Sequence, residues 1–238
     1  MPFLVLDLET VPDPSLPRPP PSDDGKPTML APPWHMISVA GSMLIGAAYR
    51  VAGWRSDLGE RAALEHLVRT ISTAEMCVVT FAGRQFDLPV IAARCFRHGL
   101  PFPRYYARTR ETPDMRYKFA AHPHLDIMDF LSDHGAALRG KLDVYAKLCG
   151  WPGKGEVEGG DVAGMVGAGQ IEEVRRYNAE DVFNTAAVFL RVQLLRGILR
   201  GEAYRAAMED LIAAAEQEPR LSTFAPRIDR ASALLVGS

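Results

Sequence analysis

Phe3-Leu-Val-Leu6 is an apolar run that leads directly into two acids, Asp7 and Glu9. Four consecutive apolar residues suit a strand buried on both faces, which belongs inside a sheet and not at its edge. At strand period two, Asp7 and Glu9 project from the same face at the strand's end. Two like charges at a buried edge lose hydration and repel each other, unless a pKa rises or a divalent cation neutralises them. Two readings stand: the pair marks the strand's exit into solvent, or it is half of a metal site.

The residues that follow limit the fold further. Nine of the eighteen prolines lie in residues 12–33, which excludes a helix or inner strand and predicts a long surface loop. Residues 36–45 and about 47–54 read as two strands joined by a tight turn at Gly46. Asp57 and Glu60 have the spacing of an N-cap and its reciprocal partner, before a helix with Leu64, Leu67, Val68 and Ile71 on one face. Residues 76–81 form another buried strand. Asp87, as N-cap, and Pro89 open a helix that turns Leu88, Ile91, Ala92 and Cys95 inward and ends at Gly99.

Residues 100–123 are irregular, and residues 124–131 read as a strand leading into a helix. Leu142, Tyr145 and Leu148 mark a short helix ended by Gly150. Eight of the twenty glycines fall in residues 150–169, which predicts a mobile loop without a complete nucleotide-binding fingerprint. A long helix runs from Gln170 to about Leu199, and an Ala-rich helix covers about 202–217. The last twenty residues carry little signal. Early strands followed by alternating helix and strand predict one α/β domain over 1–238, with a mixed sheet and a helical C-terminal extension over about 200–238.

With 47% apolar and 24% charged residues, the chain is not disordered. Its net charge of −2 means that any nucleic-acid contact must come from a local patch. Cys77, Cys95 and Cys149 lie far apart without metal spacing, so reduced thiols and a cytoplasmic location are expected. Neither a secretory leader nor a membrane span is expected.

On the long helix, Val174, Tyr177, Asp181, Thr185, Val188, Val192 and Leu195 fall on one stripe, with Glu172, Glu173, Arg175, Arg176 and Glu180 off it. An aspartate on a core-facing stripe needs a partner, either an arginine or a site shared with other groups. Asp87 is open in the same way, since a capping aspartate can turn one oxygen toward a site.

Asp7-x-Glu9, then Phe86-Asp87, then Tyr177-x-x-x-Asp181, in that order, resemble the DEDDy branch of the DnaQ-like 3′–5′ exonucleases. The nearest likeness is to the predicted exonucleases related to the proofreading domain of family B DNA polymerases. Supporting stretches are Asp7-Leu-Glu-Thr-Val-Pro-Asp13, His35-Met-Ile-Ser-Val39, Arg84-Gln-Phe-Asp-Leu-Pro89, His124-Leu-Asp-Ile-Met-Asp129 and Tyr177-Asn-Ala-Glu-Asp-Val182, and the likeness covers about residues 3–195. It implies a ribonuclease H-like α/β fold, with a mixed five-stranded sheet flanked by helices.

The resemblance further implies that Asp7, Glu9, Asp87 and Asp181 hold two Mg²⁺ or Mn²⁺ ions, with Tyr177 orienting the attacking water. Hard divalent cations take oxygen ligands, and paired ions suit in-line displacement at phosphorus. The implied activity is hydrolysis at the 3′ ends of single-stranded nucleic acid, with DNA the expected polymer. The alternatives are an RNA-trimming exonuclease and a catalytically weak nucleic-acid-binding adaptor. One departure is Ala82, where the family usually has Asn, a residue expected to help position the substrate end.

Residues 84–118 carry eight basic residues against three acidic ones, with Tyr105, Tyr106 and Tyr117 interleaved. Arginine with aromatics suits a single strand, because guanidinium pairs with phosphate while bases stack on rings. Thr10, Arg84, Phe86, Arg116 and Tyr117 are the expected substrate contacts, and a solvated loop is the competing reading. Asp126 and Asp129 are expected in strand-end or capping roles. His122 and His124 beside them make only a loose pattern for zinc.

Overall fold

The computed structural model describes residues 1–19, 30–45, 50–53, 59–73, 75–108, 110, 113–154 and 162–236. The chain opens with β1 (Phe3–Pro12), returns antiparallel as β2 (His35–Ile45), and β3 (Arg50–Gly53) pairs on the outside of β2. Helix α1 (Glu60–Ile71) leads to β4 (Cys77–Thr80), which lies parallel to β1 on its other side. Helices α2 (Asp87–His98) and α3 (Pro103–Tyr106) precede β5 (His124–Asp126), parallel to β4, so the order is β3-β2-β1-β4-β5. The rest is helical: α4 (Ile127–Leu131), α5 (Leu142–Leu148), α6 (Val162–Gly167), α7 (Ile171–Leu195), α8 (Gly201–Gln217) and α9 (Arg230–Leu234). The expected mixed sheet flanked by helices is what forms.

Strand alternation divides the core. Leu4, Leu6 and Leu8 face one side, where Leu64, Leu67, Val68 and Ile71 of α1 meet Leu88, Ile91 and Cys95 of α2. Val5, Met43 and Val79 face the other side, toward α7. Beyond α7 lies a further layer, with Tyr204, Met208, Leu211 and Ile212 of α8 in the same cluster. The middle of α7 is therefore buried all round, from Asn178 to Leu190. That corrects the single-stripe reading: Glu180 is buried off the stripe and paired with Arg176, while Leu195 on the stripe is exposed.

Local expectations held unevenly. Gly46, Asp57 and residues 20–29 lie outside the described residues. Helix α1 follows Gly59 without a side-chain cap, and Glu60 is no capping partner. It accepts instead from the Ile37 N–H and binds Arg94, which also meets Asp13. Buried Arg94 is thus structural, not part of a basic surface. Part of the proline-rich stretch is ordered into the sheet, since Pro12 faces His35 and the Asp13 N–H donates to the Trp34 carbonyl.

The glycine-rich stretch is not all loop. Trp151 is 1% exposed, and α6 packs Val162 against Val39, Val174 and Tyr177. The final residues are also built into the core, through Leu221, Phe224, Ile228 and Ala233. Asp229 caps α9, and its N–H donates to the Gly150 carbonyl at 2.8 Å. Gly150 has φ +80°, and a Cβ there would stand 2.5 Å from the Asp229 carbonyl oxygen.

Candidate metal centre and its cleft

The parallel register of β1 with β4 covers Phe3, Leu4 and Val5, after which β1 runs on beyond that partner. Such a change of neighbour beside the ends of strands is where α/β proteins open a crevice. A strand that outlasts its neighbour has backbone donors to satisfy. The Leu8 N–H finds Asp87 Oδ1 at 2.9 Å. Asp87 is the first residue of α2, after Phe86, and not the N-cap expected from sequence. The strand, more than the helix, fixes it.

Asp7 and Glu9 lie on the α7 face of β1, and Asp7 is opposite Gly41 of β2. Asn178 of α7 reaches down at that point, and its Nδ2 donates to Asp7 Oδ2 at 2.8 Å and to the Asp7 carbonyl at 3.2 Å. A Cβ on Gly41 would stand 1.8 Å from Asn178 Oδ1, so only glycine admits this contact. Gly41→Ala is expected to push Asn178 off Asp7 and cost about 1–3 kcal/mol of stability. It should also weaken Mn²⁺ binding about tenfold, as loss of a ligand's positioning partner does. Melting curves and a Mn²⁺ titration check this; two unchanged readings would remove Asn178 from the account.

Asp7, Glu9 and Asp181 each offer an oxygen within 4.8 Å of the others. Asp87 stands outside that group of three, although its charge acts on Asp7. Burial, then repulsion by Glu9, Asp181 and Asp87, holds the Asp7 carboxyl well above the usual carboxylate range. Glu9 is pushed up to about 8 by burial and by the charge on Asp181. Asp87 is pushed up to about 7, mainly by burial. Burial also raises Asp181, which Lys154 partly counteracts.

Asp181 Oδ1 is buried and has no hydrogen-bond partner among the described residues. An all-oxygen cluster whose crowded, buried carboxyls oppose one another's ionisation, with one buried acceptor unsatisfied, fits a hard divalent cation.

Sequence reasoning missed two groups here, Asn178 and Lys154. Lys154 Nζ donates to the Tyr177 hydroxyl at 2.6 Å and lies 3.2 Å from Asp181 Oδ2. Burial alone would lower its pKa, but Asp181 and Tyr177 outweigh that and hold the ammonium above its usual range. Tyr177 is raised by burial and by the Asp181 charge, so it stays a neutral phenol. A cleft of about 560 Å³ opens beside the cluster, with Arg139, Lys141 and Lys154 as basic lining residues.

The expected substrate contacts divide into two kinds. The Thr10 hydroxyl is 2.7 Å from His35 Nδ1, His35 Nε2 faces the Leu30 carbonyl, and the His35 ring meets Phe86 edge-on. A carbonyl only accepts, so Nε2 carries the proton and Nδ1 accepts from Thr10. Arg116 lies over the Tyr106 ring, and Tyr106 and Tyr117 are exposed. Arg84, by contrast, is committed to Asp129 and to the Met115 carbonyl.

Asp126 caps α4 and accepts from the Ala82 and Arg84 N–H groups, the capping role expected of it. That grip holds Ala82 at φ +67°, a conformation that favours Asn or Gly over Ala. His124 is buried against Thr80 and the Met115 carbonyl and is pushed down to about 3, chiefly by burial. Both of its nitrogens are engaged within the core.

Comparison with known proteins agrees with this geometry. Residues 38–228 match the family described as "Predicted 3′-5′ exonuclease related to the exonuclease domain of PolB". No curated protein matches the chain. Among solved structures, it is similar to the family B DNA polymerase from the hyperthermophilic archaeon Pyrobaculum calidifontis. The two share 14% identity and a TM-score of 0.55, over 94% of this chain and 27% of the polymerase. That likeness is one of fold, a sheet and helices consistent with a ribonuclease H-like exonuclease domain, and the chain spans only a small part of the polymerase's length. With most of its residues under the family match, the chain belongs to the predicted 3′–5′ exonucleases related to the exonuclease domain of PolB.

Proposed function

We propose that this protein is a metal-dependent 3′–5′ exonuclease that shortens single-stranded nucleic acid, DNA foremost, by a two-metal mechanism. The observation that carries this reading is the convergence of oxygens from Asp7, Glu9 and Asp181, one of whose residues, Asp181, also holds a buried Oδ1 without a partner among the described residues. Those three, with Asp87 beside them, would hold two Mg²⁺ or Mn²⁺ ions, which supply an activated water and stabilise the departing 3′-oxygen.

The chain's own residues do the remaining work. Tyr177 is a neutral phenol that accepts from Lys154 and hydrogen-bonds Asp181, and from that position beside the carboxylates it would orient the attacking water. Thr10 and Phe86, braced by His35, form a platform for the terminal nucleotide. Arg116, with exposed Tyr106 and Tyr117, offers charge and rings to the strand behind it. Arg84 holds the segment before α2 in place through Asp129. We read residues 1–238 as one exonuclease domain, because the final helices share the core of α7. No described helix is long and apolar enough to cross a membrane, and three buried unpaired cysteines suit a reducing cytoplasm.

The test is a time course on 5′-labelled single strands of DNA and RNA with Mg²⁺, Mn²⁺ or EDTA. A ladder of shortened DNA with either ion, and intact strands in EDTA, is expected. Shortening at full rate in EDTA overturns the metal mechanism, and faster loss of RNA reassigns the polymer.

A further inference from the structure

We propose that the groove on the outer face of α2 is a second strand-binding site, which holds nucleotides of the single-stranded substrate that lie beyond its 3′ end. This inference rests on the exonuclease reading above and adds to it how long a strand the protein grips. One face of α2 turns Leu88, Ile91 and Cys95 into the core. The other presents Pro89, Ala92, Ala93, Phe96 and Arg97 to a cavity of about 780 Å³. Pockets of that size bury organic ligands as large as a nucleotide.

Shape and rings come first. Pro89, Ala92 and Ala93 are short and leave the groove open, while Phe96 beside them is 92% exposed. Tyr106 of α3 also lines the groove and is held edge-on against Tyr105, which stacks on Phe102. The Arg116 guanidinium lies 5.0 Å from the centre of the Tyr106 ring. A base can stack on such a guanidinium plane or on an exposed ring.

Charge points the same way. Among the described residues, no carboxylate lines the groove. Arg97 and Arg116 are each steadied by one acid, Asp13 at 3.4 Å and Asp114 at 3.3 Å. Those acid side chains are only 3% and 14% exposed, whereas the two arginines are 42% and 49% exposed. A guanidinium has more N–H donors than one carboxylate uses, so donors are left for phosphate.

The groove also begins where the platform for the terminal nucleotide ends. Pro33 on its rim shortly precedes His35, Pro89 follows Phe86 by one helical turn, and His35 meets Phe86 edge-on. The turn Pro32–Trp34 packs against α2. From Asp87 to His98 the helix is about 18 Å long, so only a strand of several nucleotides reaches Arg97 from the platform. An acidic peptide would also satisfy the arginines, but it would have no reason to meet that platform.

Phe96→Ala, Ala93→Glu and Ala93→Lys, compared with the parent, test this. The first measurement is anisotropy in EDTA with a 5′-labelled DNA strand of about fifteen nucleotides. Phe96→Ala should bind it about tenfold more weakly, the loss of one stacked base. Ala93→Glu should also weaken binding about tenfold, and Ala93→Lys should tighten it about threefold. Opposite shifts at one position are not what a folding defect produces. The second measurement is kcat/KM with Mg²⁺ for the long strand, divided by that for a dinucleotide, which ends on the platform. This ratio should follow the same order across the variants. A long strand bound alike by all four proteins overturns the proposal and leaves the groove to a protein partner. Losses as large on the dinucleotide as on the long strand overturn it too. If neither Mg²⁺ nor Mn²⁺ supports shortening of any strand, the exonuclease reading fails, and the anisotropy series decides the groove on its own.

Discussion

Asp7→Asn is expected to be inactive and yet, without divalent cations, more stable than the parent. The amide keeps an oxygen that can accept from Asn178 Nδ2, so the local geometry survives. What disappears is one negative charge among three close carboxylates. Loss of that charge at the centre of the cation site should lower the rate of 3′-end shortening about a thousandfold. Relief of like-charge repulsion should add on the order of 2 kcal/mol in EDTA at pH 8, and about 1 kcal/mol raises the midpoint by ~2–4 °C in a chain of this size. A variant that is both inactive and less stable would point to a folding role for Asp7. One that keeps full activity would end the metal reading.

The second large effect concerns pH. Glu9 and Asp87 have folded-state pKa values raised from 4.5 to about 8 and from 3.8 to about 7. A carboxyl raised on folding favours the folded state while it is protonated. That contribution is complete below the unfolded values and is lost as pH rises through the folded ones. In EDTA the protein should therefore become less stable from about pH 4 to about pH 8, by several kcal/mol in total. Saturating Mg²⁺ or Mn²⁺ should remove most of the slope, because bound cations replace the lost protons. Denaturant melts at several pH values, with and without ion, give the answer. A flat profile in EDTA, or a slope indifferent to added ion, contradicts a strained acidic cluster.

Much of the framework was legible from the sequence because it depends on short-range periodicity. Alternation placed Asp7 and Glu9 on one face of β1, and helical spacing gave the buried face of α1 residue for residue. Tyr177 and Asp181, four apart on α7, share a face for the same reason. Elements set by tertiary packing were not legible. Helix α6 contains Gly164 and Gly167, which oppose a helix, and it is held by contact of Val162 with Val174 and Tyr177. The stripe on α7 could not reveal that α8 covers its far side.

The site divides in the same way. Asn178 follows Tyr177 directly, but its role requires the missing Cβ of Gly41, a long way off in sequence. Lys154 sits in a glycine-rich stretch without periodicity, and only the fold of residues 150–154 brings it to Asp181. Its one local sign was a lysine directly after Trp151-Pro-Gly153. The arginines of residues 84–118 misled for the opposite reason. Charge in a sequence does not show which guanidinium groups are already spent on internal carboxylates, as those of Arg84 and Arg94 are.

The bond between Asp229 and Gly150 ties the tail of the chain to the short segment that ends at Lys154, a lining residue of the cleft. A deletion that stops after Glu218 would leave every proposed carboxylate ligand in place, yet strip the brace from the turn that carries Lys154. Such a shortened form belongs with the active-site variants, although the cut falls 37 positions beyond Asp181. Anyone trimming this protein for easier handling would be editing its chemistry.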